Sequence, residues 1–166
     1  GGVEESYGED PYLCGIFARS EVKGYLDSGI SPMLKHYGPH GNPLGGLNLA
    51  SVDCGVYDLH AVYLKPFEMV LRHLPVYAVM STYNSWNRVP NSASRYLLTD
   101  ILRNRWGFKG YVYSDWGAIE MLENFHHTAA NKAEAATQAL TAGLDVEASS
   151  ECYPELSRLV KEGKLE

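Results

Sequence analysis

The sequence predicts an α/β protein built around a parallel β-sheet whose two faces are both covered by helices. Short apolar runs alternate with amphipathic helical segments along the 166 residues, which is the pattern of repeated βα units. The strand-like runs are continuously apolar rather than alternating, as is typical of strands buried on both faces. Four βα units can be placed, whereas a complete (β/α)8 barrel needs about 250 residues. The sequence therefore predicts about half of a TIM-type barrel.

The first unit begins with a helix over 11–26. Asp10 is suited to cap this helix, and Pro11 fits its first turn because proline has no N–H to leave unpaired there. A strand over 30–37 follows and ends in a Gly- and Pro-rich loop over 38–46.

The second unit consists of a helix over 58–73 and a strand over 76–82. Pro66 predicts a kink or a restart within this helix, since proline interrupts the hydrogen-bond ladder. A polar loop over 83–92 comes next.

The remaining units follow the same order. Ser94 can cap a helix that carries apolar residues at helical spacing and ends at Gly107. A strand is predicted over 110–114. Helical segments over 118–125 and 129–141, a very short strand over 144–147 and a final helix over 153–161 complete the chain.

Composition and spacing exclude several function classes. The net charge is −6 and no basic stripe is present, so we expect no nucleic-acid partner. No apolar run approaches the ~18 residues of a membrane span, so we expect no membrane insertion. The three cysteines lack a Cys-x-x-Cys pair, and the histidines lack ligand spacing such as His-Glu-x-x-His. We therefore expect neither a metal nor an organic cofactor.

Polar and aromatic side chains are concentrated at the ends of the predicted strands, where parallel βα folds collect their functional groups. Asp115 directly follows the third strand and precedes Trp116, so a carboxylate against an aromatic wall is expected at the barrel mouth. The alternative is that Asp115 only caps the following helix. Lys35 and His36 end the first strand and can donate hydrogen bonds to sugar hydroxyls; the alternative is a surface lysine beside a core histidine.

Seven motifs occur in an order that resembles glycoside hydrolase family 3. They are Gly8-Glu9-Asp10-Pro11-Tyr12-Leu13, Lys35-His36-Tyr37, Val79-Met80-Ser81-Thr82-Tyr83-Asn84 with Asn87 and Val89-Pro90, Leu97-Leu98-Thr99-Asp100-Ile101-Leu102-Arg103, Trp106-Gly107-Phe108-Lys109-Gly110, Ser114-Asp115-Trp116 and Ala142-Gly143-Leu144-Asp145. Each string is short, but together they span nearly the whole chain.

The resemblance implies a retaining, exo-acting β-glycosidase that hydrolyses terminal β-glucosyl or β-xylosyl residues by double displacement. Asp115 is implied as the catalytic nucleophile. The substrate-binding residues carried over in the same way are Lys35, His36, Met80, Tyr83 and Trp116. The partner implied is a β-linked oligosaccharide or glycoside.

The sequence also departs from the family pattern. The sugar-binding Arg of the family falls at Gly2, and the loop over 38–53 has no Asp-His pair of the type used on N-acetylglucosamine, which favours the β-glucosidase or β-xylosidase side. The resemblance assigns the acid/base residue to a region outside this chain.

The resulting interpretation divides the chain in two. Residues 1–148 are expected to form the C-terminal half of the catalytic barrel, and residues 149–166 the start of the segment that leads to the next domain. The missing barrel half and the C-terminal domain would belong to a parent enzyme, for which the resemblance favours a periplasmic or secreted location. The alternative is a catalytically inactive or incomplete barrel fragment that needs the rest of the enzyme.

Overall fold

Helices and strands alternate along residues 5–165, the part of the chain that the computed structural model describes. In chain order they are α1 (Pro11–Asp27), β1 (Met33–Tyr37), a 3-10 turn (Leu44–Gly46), α2 (Val56–Asp58), a π-helical turn (Leu59–Tyr63), α3 (Lys65–Leu71), β2 (Ala78–Ser81), β3 (Ser85–Trp86), β4 (Val89–Pro90), a 3-10 turn (Asn91–Ala93), a π-helix (Tyr96–Arg105), β5 (Tyr111–Tyr113), α4 (Met121–Asn124), α5 (Lys132–Ala142) and α6 (Pro154–Lys161).

The main sheet is parallel, with strand order β1-β2-β5. Val79 is paired with Leu34 on one side and with Val112 on the other, and both valines are fully buried. The predicted parallel sheet is therefore confirmed, with β1 and β2 each three residues shorter and β5 two residues shorter than the predicted strands. Within residues 5–165, no helix combines the length and apolar character that crossing a bilayer requires.

The predicted fourth strand over 144–147 is wrong in extent. In the described chain this segment meets β5 only at one parallel bridge, between Val146 and Tyr113. The Asp145 carboxylate accepts the Val112 N–H at 2.7 Å, and the N–H groups of Asp145 and Val146 both donate to the Val112 carbonyl. A side chain thus takes one place in the ladder, which prevents a continuous strand.

Helix α1 starts and packs as its sequence predicts. Asp10 Oδ1 accepts the Leu13 N–H at 2.6 Å, and Pro11 occupies the first turn. The helix lies against α3, where a Cβ atom on Gly15 would stand 2.5 Å from the Met69 sulfur. Glycine at position 15 therefore allows the close approach of the two helices.

The second predicted helix is interrupted, as Pro66 indicated. It consists of α2, the π-helical turn and α3, with Pro66 in the first turn of α3. The helix after Ser94 has π geometry, in which Trp106 donates to the Ile101 carbonyl five residues earlier. Its apolar face is nonetheless the predicted one, since Leu97, Leu98, Ile101 and Leu102 are all buried in the core.

A β-hairpin lies inside the loop that was predicted to be irregular. Strands β3 and β4 are joined through Asn87 and Arg88, whose φ angles are 47° and 70°. A two-residue turn of this kind usually contains an Asn-Gly or Asp-Gly pair, which is absent here. The Asn87 side chain compensates, because its oxygen accepts the Cys54 N–H and its nitrogen donates to the Cys54 carbonyl.

Candidate active site

The carboxyl ends of β1, β2 and β5 bring three predicted site residues together. Because parallel strands end at the same edge of the sheet, His36, Tyr83 and Asp115 meet there although they are far apart in sequence. The side chains of His36 and Asp115 are only 17 % and 13 % exposed. The site is a small, partly desolvated polar cluster.

Asp115 is held at the end of β5 by its neighbour Ser114. The Ser114 N–H donates to the Val146 carbonyl, and its Oγ accepts the Ala148 N–H, both at 2.8 Å. The next helix, α4, begins six residues after Asp115 and has Glu120 at its cap position. The alternative in which Asp115 only caps that helix is therefore wrong.

Two oxygens of the Asp115 carboxylate have different partners. Oδ1 accepts the Trp116 N–H at 2.7 Å, and Oδ2 lies 3.3 Å from Nε2 of His36. Burial lowers the pKa of His36, and His40 and Lys35 add to this effect, while the charge on Asp115 opposes it. We therefore treat His36 as a neutral imidazole whose Nε2 contacts Oδ2.

Tyr83 supplies a side-chain donor to Asp115. Burial, together with the hydrogen bond to Asp115 and the negative charge there, raises the pKa of Tyr83 to about 12. The phenol consequently keeps its proton at neutral pH and donates a hydrogen bond to the carboxylate. The Trp116 N–H and the Tyr83 hydroxyl together orient the Asp115 carboxylate at the strand end.

The other predicted site residues lie further from this contact. The Lys35 ammonium is 2.6 Å from Glu5 Oε2, and its side chain is 43 % exposed. Met80 is half-buried in β2 beside Tyr113, and the Trp116 ring is 72 % exposed. The prediction about Gly2 lies outside the described residues.

Two further carboxylates near the strand ends have structural partners. Asp145 bonds to the Arg103 guanidinium at 2.5 Å and to the backbone of β5. Glu147 accepts the N–H groups of Cys152 and Tyr153 at the start of α6. Neither group is therefore available as a proton donor beside Asp115. No group of three His, Cys, Asp or Glu side chains in the described part of the chain could hold a metal ion.

Several residues without a predicted catalytic or binding role support the site. His126 Nε2 lies 2.9 Å from the Tyr83 carbonyl, to which it must donate because a carbonyl only accepts. His40 lies beside His36 and contacts Thr82 and Asn84. Thr82 and Asn84 flank Tyr83 in the sequence, and this position is the only signal that could have indicated their role. No such signal exists for His40 or His126.

His126 should give the stability of the chain a pH dependence. Burial lowers the pKa of His126 from 6.5, so below that pH the unfolded chain binds more protons than the folded chain. The contribution of neutral His126 to the free energy of unfolding is complete above pH 6.5. It is lost as the pH falls through the lower pKa that His126 has in the folded chain. The variant His126→Gln keeps a hydrogen-bond donor but does not titrate. Between about pH 7.5 and about pH 5, its free energy of unfolding in urea should therefore fall less than that of the wild type. An unchanged pH slope would contradict this expectation.

Known proteins resemble the chain over almost its full length. The model of the Glycosyl hydrolase family 3 N terminal domain matches residues 1–166. The periplasmic β-glucosidase of Salmonella typhimurium is 37 % identical, over 99 % of this chain and 22 % of its own length. A β-xylosidase of Formosa agariphila is 36 % identical, over 89 % of this chain and 21 % of its own length. The chain thus spans about a fifth of the length of these relatives.

Solved structures agree with this relationship. A β-glucosidase from Erythrobacter marinus matches with a TM-score of 0.95 at 34 % identity, covering 99 % of this chain and 23 % of that chain. A β-glucosidase from Listeria innocua matches with a TM-score of 0.93 at 32 % identity, covering 98 % and 24 %. The α/β fold of the TIM-barrel type is therefore confirmed. The chain belongs to glycosyl hydrolase family 3, in the region of that family's N-terminal domain.

Proposed function

We propose that the chain is part of the catalytic barrel of a retaining, exo-acting β-glycosidase, with Asp115 as the nucleophile. The observation that carries this proposal is the Asp115 carboxylate at a strand end, which contacts His36 and accepts hydrogen bonds from the Trp116 N–H and from Tyr83. A carboxylate fixed in this way is ready to attack a carbon that becomes positive.

The proposed reaction has two displacements. Asp115 attacks the anomeric carbon, the bond to the glycosidic oxygen breaks, and an acid outside this chain protonates that oxygen. Water then cleaves the glycosyl ester on Asp115 and gives its proton to the same outside group. The second carboxyl group of such enzymes lies about 5–5.5 Å from the nucleophile, and Asp145 and Glu147 are both occupied by structural bonds.

The remaining predicted residues would bind the terminal sugar. Lys35, His36 and Met80 are proposed to line its subsite, and the exposed ring of Trp116 offers a flat apolar face beside the scissile bond. Because relatives are named β-glucosidase and β-xylosidase, we propose a terminal β-glucosyl or β-xylosyl residue as the substrate.

We further propose that residues 1–148 are the C-terminal half of the barrel and that residues 149–166 lead to a following domain. Three parallel strands and one bridged segment correspond to four barrel positions. In the described chain β1 is paired only with β2, so its other edge is open to a preceding strand.

The second candidate is that this polypeptide by itself is an inactive or incomplete fragment. The structural use of Asp145 and Glu147 favours it, because a retaining glycosidase needs a second carboxyl group. Assays of the polypeptide alone and of the enzyme that carries it, with chromogenic β-glucosides and β-xylosides, separate the two. Turnover by the polypeptide alone would refute the inactive fragment, and turnover by neither would refute the proposed glycosidase.

Tyr83→Phe tests the donor that faces Asp115. Hydrogen bonds to charged groups contribute about 1.5–3 kcal/mol, so we expect kcat of the enzyme that carries this chain to fall by roughly 10- to 100-fold. Tyr57→Phe is the matched control, because Tyr57 is 81 % exposed. An equal kcat for the two variants would show that the Tyr83 hydroxyl plays no part in catalysis.

A further inference from the structure

His40 stands directly behind His36 in the loop that follows β1. The centroids of the two imidazole rings are 4.7 Å apart, and their planes are tilted by 48°. His36 thus contacts both the His40 ring and the Asp115 carboxylate. A shift of the His40 ring would remove one of these two contacts.

The hydrogen bonds of His40 define which of its nitrogens carries a proton. Nδ1 lies 2.9 Å from Asn84 Oδ1 and 3.1 Å from Thr82 Oγ1. The Asn84 amide is oriented by its nitrogen, which donates to the Ala50 carbonyl at 2.7 Å. The Thr82 hydroxyl donates to Asn84 Oδ1 at 2.8 Å. Both oxygens therefore accept toward His40, and Nδ1 must be the protonated nitrogen.

The groups that hold His40 are part of a buried clamp. Thr82, Asn84 and Asn91 are all completely buried. Asn84 donates to the Ala50 carbonyl, and Asn91 donates to the Pro39 carbonyl at 3.1 Å, so both ends of the loop that carries His40 are fixed to the segment after β2. These hydrogen bonds thus hold the backbone around His40 in place.

We propose that His40 is a positioning residue, which holds the His36 ring so that its Nε2 stays in contact with Asp115 Oδ2. The proposal rests on the proposed function, in which Asp115 is the nucleophile. The connection runs from Asn84 and Thr82 through His40 to His36 and then to the carboxylate. Packing of His40 on His36 also contributes to the desolvation of His36.

The first test measures the tautomer of His40 in this polypeptide and needs no activity. The side-chain ¹⁵N shifts of neutral His40 should identify Nδ1 as the protonated nitrogen. Thr82→Val, which replaces the hydroxyl with a methyl group of similar size, should shift the His40 Nδ1 signal and also perturb the His36 ring signals. Protonation of His40 at Nε2 alone, or His36 signals unaffected by His40→Phe, would overturn the proposal.

The second test measures kinetics in the enzyme that carries this chain. His40→Phe keeps a flat ring but removes the donor, so we expect kcat to fall by about 10- to 100-fold, the scale expected for a misplaced catalytic group, with a smaller change in KM. His40→Gln restores a donor and should recover part of this loss. His73→Gln, at an exposed position after α3, is the control.

The outcomes distinguish the positioning role from the proposed function. Wild-type kcat in His40→Phe, or a loss in His40→Gln as large as in His40→Phe, would overturn the positioning role. If Asp115→Asn retains full turnover while the tautomer is as expected, the proposed function fails and the hydrogen-bond assignment of His40 stands.

Discussion

Asp115→Asn is expected to abolish turnover of an aryl β-glucoside by the enzyme that carries this chain. The substitution keeps the shape of the side chain, but an amide oxygen cannot form the glycosyl ester. We expect kcat to fall by a factor on the order of 10⁴ or more, as when other nucleophiles are removed. The control is Asp100→Asn, because Asp100 is an exposed carboxylate on the π-helix. Near-normal kinetics of Asp115→Asn would end the nucleophile assignment.

Two further measurements separate a nucleophile from a residue that only supports the site. Asp115→Gly leaves space beside the anomeric carbon, so added azide should restore turnover and yield a glycosyl azide of inverted configuration. A 2-fluoro glycoside with a good leaving group should instead label the wild-type enzyme, and peptide mapping should locate the ester on Asp115. A label on another carboxylate would move the assignment to that residue.

Gly110→Ala is expected to have the largest effect on stability. A Cβ atom at Gly110 would lie 2.2 Å from the Tyr77 carbonyl oxygen and 2.6 Å from the Phe108 ring. That same oxygen accepts the Tyr111 N–H at 2.9 Å, so the pairing of β2 with β5 must shift to make room. We expect the free energy of unfolding to fall by about 3 kcal/mol or more, measured in urea.

Gly24→Ala is the matched control for this stability prediction. Gly24 lies inside α1, and a Cβ atom there would meet nothing within 4 Å. Alanine is preferred over glycine inside helices by roughly 0.5–1 kcal/mol, so the variant should be slightly more stable than the wild type. Equal stability of the Gly110→Ala and Gly24→Ala variants would show that the close backbone approach at Gly110 does not constrain the sheet.

The sequence predicted those parts of the fold that depend on interactions between residues close together in the chain. Asp10 caps α1, Pro66 restarts a helix, and Val79 and Val112 lie in buried strands, as expected. The hairpin of β3 and β4 could not be predicted, because its turn is supported by Asn87 contacts with Cys54, 33 residues away. The prediction of a fourth strand was wrong for a similar reason, because the Asp145 side chain, and not a backbone carbonyl, accepts the Val112 N–H of β5.

The same distinction applies to the candidate site. His36 lies near the end of β1, and Tyr83 and Asp115 lie just beyond the ends of β2 and β5, so the rule that parallel sheets collect functional groups at one edge indicated all three. His40 and His126 act through contacts with residues 42 and 43 positions away. No pattern in the sequence connects such pairs. These contacts depend on how the loops pack against one another in the folded chain.

The two buried amides that hold the loop after β1 also have a consequence for protein engineering. Asn91 fixes the loop at Pro39, and Asn84 fixes it again at Ala50. Most of the residues over 41–48 are exposed. Lengthening a loop between fixed ends costs little, about 0.6 kcal/mol for each doubling. Residues 41–48 are therefore expected to tolerate replacement by segments of other lengths while the anchors stay intact.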